Sequence, residues 1–168
     1  LASQAVVADA KPYKRVKPHP GVADMDRLRD MLAQARKPMV ILGGGDWSAQ
    51  ACGDIRAFIE ANNLPAGCSF RRQDLLDNRH PNYFGEVGIG INPLLGERMR
   101  GADLILAIGP RLGEMTTGGY TLFPIPRPLQ RLVHVHPGNE ELGRVYQADL
   151  MINSGMAEFA QAAANLPS

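Results

Sequence analysis

Cysteine is scarce in this chain: Cys52 and Cys68 are its two cysteines in 168 residues. Two are too few for a disulfide framework, and their spacing is not that of a zinc or thioredoxin motif. A cytoplasmic chain is the expectation. An excess of one charge is also missing, because 18 basic residues face 17 acidic ones for a net charge of +1. Such a chain has no overall field to gather nucleic acid or anionic lipid, so neither is expected as a partner. No apolar run approaches the roughly 18 residues of a membrane span, and the first residues lack the basic-then-apolar order of a signal peptide. A soluble protein is predicted. An initiator methionine is absent, the chain opening Leu1-Ala2-Ser3-Gln4, which points to a piece of a longer protein. No internal repeat is visible.

What is present is close to a globular average, with 45% hydrophobic and 21% charged residues. A domain of this length can remove roughly 70% of its unfolded surface from water and needs no staples. The 18 glycines and 13 prolines imply many turns without reaching low complexity. Residues 1–21 carry Pro12, Pro18 and Pro20 with Lys11, Lys14, Arg15 and Lys17, a pattern that reads as a linker rather than as a phosphate-binding arm. From Asp24, the apolar positions Met25, Leu28, Met31, Leu32 and Ala35 recur at helical spacing as far as about Arg36.

Met39-Val40-Ile41-Leu42 is a continuous apolar run ending in Gly43-Gly44-Gly45, as expected of a strand buried on both faces. Asp46 or Ser48 can cap the helix that follows through Phe58, Ile59 and Ala61, and Ala66 to Phe70 is a second strand. The polar, glycine-rich stretch 71–92 is too long for an ordinary connection and is a candidate binding loop. A short helix at 93–100 precedes the clearest strand, Asp103 to Gly109; further strands at 131–137 and 149–153 lead to a closing amphipathic helix at 156–166. The alternation predicts an α/β fold, a doubly wound and mainly parallel sheet with helices on both faces, Rossmann-like, with ligands expected beyond the carboxyl ends of the strands.

Several residues have the chemistry for such a ligand. Gly43, Gly44 and Gly45 stand where a strand hands over to a helix and could cradle a phosphate, although Ser48 stands where a dinucleotide fingerprint has its third small residue. Arg71-Arg72 after the second strand would suit a 2′-phosphate, which keeps a stand-alone NADP-binding module open as an alternative. Arg111 lies two residues past a strand end and suits phosphate or adenine stacking, and Thr116 to Gly119 could add donors to the same crevice. His134 and His136 share one strand face but have no third metal ligand nearby. Neither cysteine can be assigned as a nucleophile. A tight turn at the glycines and a purely structural interaction domain remain the plainer accounts.

Four patterns occur in one order: Lys37-Pro38-Met39-Val40-Ile41-Leu42-Gly43-Gly44-Gly45; Asn78-Arg79-His80-Pro81 leading to Gly85-Glu86-Val87-Gly88; Ala102-Asp103 through Gly109-Pro110-Arg111; and His136-Pro137 with Glu141-Leu142-Gly143. Together they resemble the central domain of thiamine diphosphate-dependent enzymes of the acetolactate synthase and pyruvate decarboxylase family, over about residues 22–166. The resemblance implies that residues 1–21 are an interdomain linker and 22–168 the middle of a three-domain chain. Thiamine diphosphate and magnesium would then be bound by other domains, and the parent enzyme would be a homodimer or homotetramer acting on 2-oxo acids. Gly53-Asp54-Ile55 with Asn82 does not supply that cofactor site, since the second glycine of the family's Gly-Asp-Gly to Asn motif is absent. The resemblance places Gly43, Gly44, Gly45, Arg111, Thr116 and His134 toward a nucleotide, and leaves open whether this domain holds ADP, FAD or nothing. His134 and His136 replace the acids of the family's Asp-x-Asp-Pro strand end, and Asn153-Ser154-Gly155 replaces its Gly-Asp.

Overall fold

The computed structural model describes residues 11–14 and 16–167. Most of the predicted linker, residues 1–10 and 15, and the final Ser168 lie outside the described residues.

The helices are α1 (Val22–Gln34), α2 (Ala49–Ala61), α3 (Pro93–Arg100) and α4 (Met156–Ala164). The strands are β1 (Pro38–Leu42), β2 (Ala66–Ser69), β3 (Tyr83–Val87), β4 (Leu104–Ile108), β5 (Arg131–His136) and β6 (Leu150–Asn153). All pair in parallel in the order β3-β2-β1-β4-β5-β6. This is the doubly wound order predicted from the alternating pattern, and the chain reverses direction across the sheet between β1 and β4. At that switch point β1 aligns with β4 from Pro38 opposite Leu104 to Leu42 opposite Ile108.

Unbroken apolar runs form the central strands because both faces are covered. On one face Val40, Leu42, Leu104, Leu106, Ile108, Val133 and Val135 pack against α1, α2 and α4. On the other, Met39, Ile41, Ile105, Ala107 and Leu132 meet Leu95 and Met99 of α3, and Leu112, Leu122, Phe123 and Tyr146 from irregular connections. Successive side chains alternate between these cores, as a pleated strand requires.

Two boundaries move. The first helix stops at Gln34 rather than about Arg36, because the Asp103 carboxylate accepts the backbone N–H groups of Arg36 at 2.6 Å and Lys37 at 2.9 Å and draws the chain into an extended path. The stretch 71–92 is not one open loop: it holds a 3₁₀ turn at Gln73–Leu75 and the edge strand β3. Only Val87 of β3 is fully buried, so the strand lacks the apolar run that marks its neighbours.

Candidate functional site

The crevice beyond β1 and β4 is shaped by close backbone approach. Gly44 has φ +71° and Gly109 φ +87°. A Cβ on Gly44 would strike the Gly109 carbonyl, and one on Gly109 would strike that of Gly43. A Cβ on Gly43 would meet Pro110 Cβ at 2.7 Å and the Ser69 hydroxyl. Two of the three predicted glycines therefore sit in backbone contact with the opposing turn. Gly45 has open space around it and is free to approach a ligand.

The next helix begins at once. Ser48, not Asp46, is its cap, its Oγ accepting the Ala51 N–H at 3.1 Å. Between them the Trp47 indole folds back and donates Nε1–H to the Gly43 carbonyl at 2.7 Å. The first carbonyl beyond β1 is thus satisfied from within the loop.

On the other side, Arg111 leaves the end of β4 with its side chain 71% exposed and reaches Glu141 Oε1 at 3.1 Å. Arg144 meets the same oxygen at 3.1 Å. Glu141 is itself buried, which two guanidinium partners make tolerable for a carboxylate. These residues line a cavity of about 170 Å³ with Gly113, Tyr120, His134 and Tyr146. That is below the roughly 300–1,000 Å³ of sites enclosing a drug-sized molecule.

His134 lies at the back of this cavity, buried, with Nε2 3.0 Å from the Pro110 carbonyl. That acceptor requires the proton on Nε2, and burial holds the imidazole pKa below its ordinary value. The side chain therefore fixes the Gly109-Pro110-Arg111 turn. His136 lies on the same face, its ring 6.0 Å from that of His134, and its Nδ1 accepts the Gly138 N–H at 3.0 Å. Among the described residues no three His, Cys, Asp or Glu side chains converge as metal ligands.

Thr116 is buried in the loop that closes over the sheet end, where the neighbouring Thr117 hydroxyl donates to the Gly113 carbonyl at 2.9 Å. Arg71 lies over the Phe70 ring at 5.0 Å, and Arg72 pairs with Asp74 at 3.1 Å. Burial, reinforced by the Asp74 carboxylate, pushes the Cys68 thiol up to about 12, and burial raises Cys52 as well. Neither is poised as a thiolate nucleophile. Asp54 lies on α2 and accepts a hydrogen bond from Gln50 at 2.7 Å.

Residues 25–163 match the family model described as "Thiamine pyrophosphate enzyme, central domain". The chain belongs to this family. Within it, the large subunit of acetolactate synthase isozyme 2 from Escherichia coli K12 is 29% identical over 134 residues, which are 80% of this chain and 24% of that subunit. A 3D-(3,5/4)-trihydroxycyclohexane-1,2-dione hydrolase 2 from Bacillus cereus is 31% identical over 94 residues, 56% of this chain and 15% of the relative. The chain thus spans about a quarter or less of these relatives. As a thiamine pyrophosphate enzyme central domain, it brings Gly43, Gly44, Gly45 and Arg111 to one switch point, with His134 in the wall of the cavity beside Arg111, a cavity whose lining does not include Thr116. Trp47, Glu141 and Arg144 were not anticipated as site residues. Glu141 stands in the Glu141-Leu142-Gly143 pattern and three residues before Arg144, and neither signal reveals burial.

Proposed function

We propose that this domain is the non-catalytic middle of a thiamine diphosphate-dependent enzyme acting on 2-oxo acids, and that it positions the flanking domains of the same chain within a homodimer or homotetramer. The observation that carries this reading is the family match across residues 25–163 in a chain spanning about 24% of its acetolactate synthase relative. The local chemistry supports it. Asp54 accepts a hydrogen bond from Gln50, and among the described residues no three His, Cys, Asp or Glu side chains converge as a magnesium–diphosphate site would need. The raised thiols of Cys52 and Cys68 are not activated nucleophiles. No step of the reaction is assigned to this segment.

The crevice does suit one part of a nucleotide. The open Gly45 backbone and the exposed Arg111 fork are the donors that would hold the diphosphate of ADP or FAD. A nucleotide held there would tie the β1 turn to the β4 turn and act as a structural cofactor.

Two measurements test the reading. The 168-residue chain, supplied with thiamine diphosphate and Mg²⁺, is expected to leave pyruvate unconsumed, and decarboxylation by it would refute the non-catalytic assignment. Calorimetric titration with ADP or FAD is expected to show binding that Arg111→Ala weakens about tenfold, the loss of one charge-assisted contact. Binding of NADPH alone would favour a pyridine-nucleotide module built on Arg71 and Arg72. Silence with all three would leave positioning as the whole function.

A further inference from the structure

The segment just before α1 does more than connect. The α4 helix has Gly155 at its N-cap with no side chain capping it, so its first backbone donors need another partner. One comes from the linker: the Gly155 N–H donates to the Pro18 carbonyl at 2.9 Å. Beside it Lys17 Nζ lies 3.8 Å from Glu158 Oε1, on a side chain only 15% exposed. Glu158 is in the first helical turn, where its negative charge also complements the helix dipole. Its other oxygen is buried without a hydrogen-bond partner, and among the described residues Lys17 is the cation paired with this carboxylate. His19 continues along the groove between α2 and α4, which it lines with Ser48, Asp54 and Glu158.

We propose that residues 17–20 form a strap fastened across the start of α4, and that this strap sets the direction in which the chain preceding Lys17 leaves the domain. Pro18 and Pro20 restrict the strap's own backbone, so few conformations are lost when it docks. Fastening at Lys17 instead of at the start of α1 removes five residues from any upstream tether, about 17 Å of extended reach. A neighbour attached upstream is then held at a defined angle and cannot swing freely.

Hydrogen exchange at the Gly155 amide reads the strap directly, and trypsin offers a second measure. Lys11 and Lys17 precede proline and resist cleavage, leaving Lys14 and Arg15 as the reporting sites. In the 168-residue chain, Lys17→Glu places two negative charges together and is expected to speed both readouts about fivefold, with α-helical circular dichroism unchanged. Lys17→Arg, which keeps the cation beside Glu158, is expected to retain protection. A Gly155 amide that exchanges as fast in the intact chain as in one lacking residues 1–18 would overturn the strap. So would Lys17→Glu leaving both rates unchanged.

Discussion

Gly44 and His134 illustrate how single residues hold the crevice. Gly44 needs its left-handed backbone, and its missing Cβ leaves room for the Gly109 carbonyl. Gly44→Ala is therefore expected to destabilise the domain by about 1–3 kcal/mol, from left-handed strain and backbone overlap together. Urea denaturation measures this, and an unchanged midpoint would mean that the turn relaxes without cost. His134 adds a dependence on pH. Its folded pKa is depressed by burial, so below its unfolded value of about 6.5 the unfolded chain binds the proton that the folded chain refuses. The stability it contributes is complete above about pH 6.5 and is lost as pH falls toward the folded value. His134→Gln is expected to flatten the stability curve as pH falls below about 6.5 relative to the parent chain. Parallel curves for the two proteins would show that another group controls that window. Both residues were singled out in the sequence for a ligand. In the structure His134 reaches the Pro110 carbonyl, 24 residues away just past the end of β4.

At the scale of elements, capping and coverage decide what forms where. The six residues 43–48 turn the chain from β1 into α2, and the Ser48 hydroxyl satisfies one of the first helical donors. Ser48→Ala is expected to cost about 1 kcal/mol. Equilibrium unfolding checks this, and an unchanged midpoint would show that the hydroxyl adds no capping energy. Five of the six strands were legible in sequence: β1, β2, β4 and β5, which are flanked on both sides, and the edge strand β6, whose Leu150 and Ile152 are buried. β3 was not legible. It has one neighbour, a register shift against β2 between Ala66 and Gly67, and Gly85 at φ +115°. Its residues adopt a strand because the edge of β2 offers hydrogen bonds, not because their own pattern demands one.

For the whole molecule, one sheet with a core on each face makes a single cooperative unit. Trp47, the one tryptophan in the sequence, rests on the end of β1 and packs against the larger core. Its fluorescence is expected to change in the same urea transition as far-ultraviolet circular dichroism. An earlier fluorescence transition would show that the crevice melts before the sheet. The same continuity joins the crevice beyond β1 and β4 to the segment 17–20 at the start of α4 through one packed body.

The sequence by itself determined the fold class, the central strands and their glycine turns, because continuous apolar runs have few ways to be buried and backbone reversals need particular residues. The ordered motifs that place the chain in its family are likewise local. The edge strand, the Glu141 carboxylate beneath two arginines, the inward role of His134 and the docking of Pro18 on Gly155 were decided only by tertiary structure. Each joins residues distant in sequence, and a partner across the fold leaves no trace in the spacing of neighbouring residues.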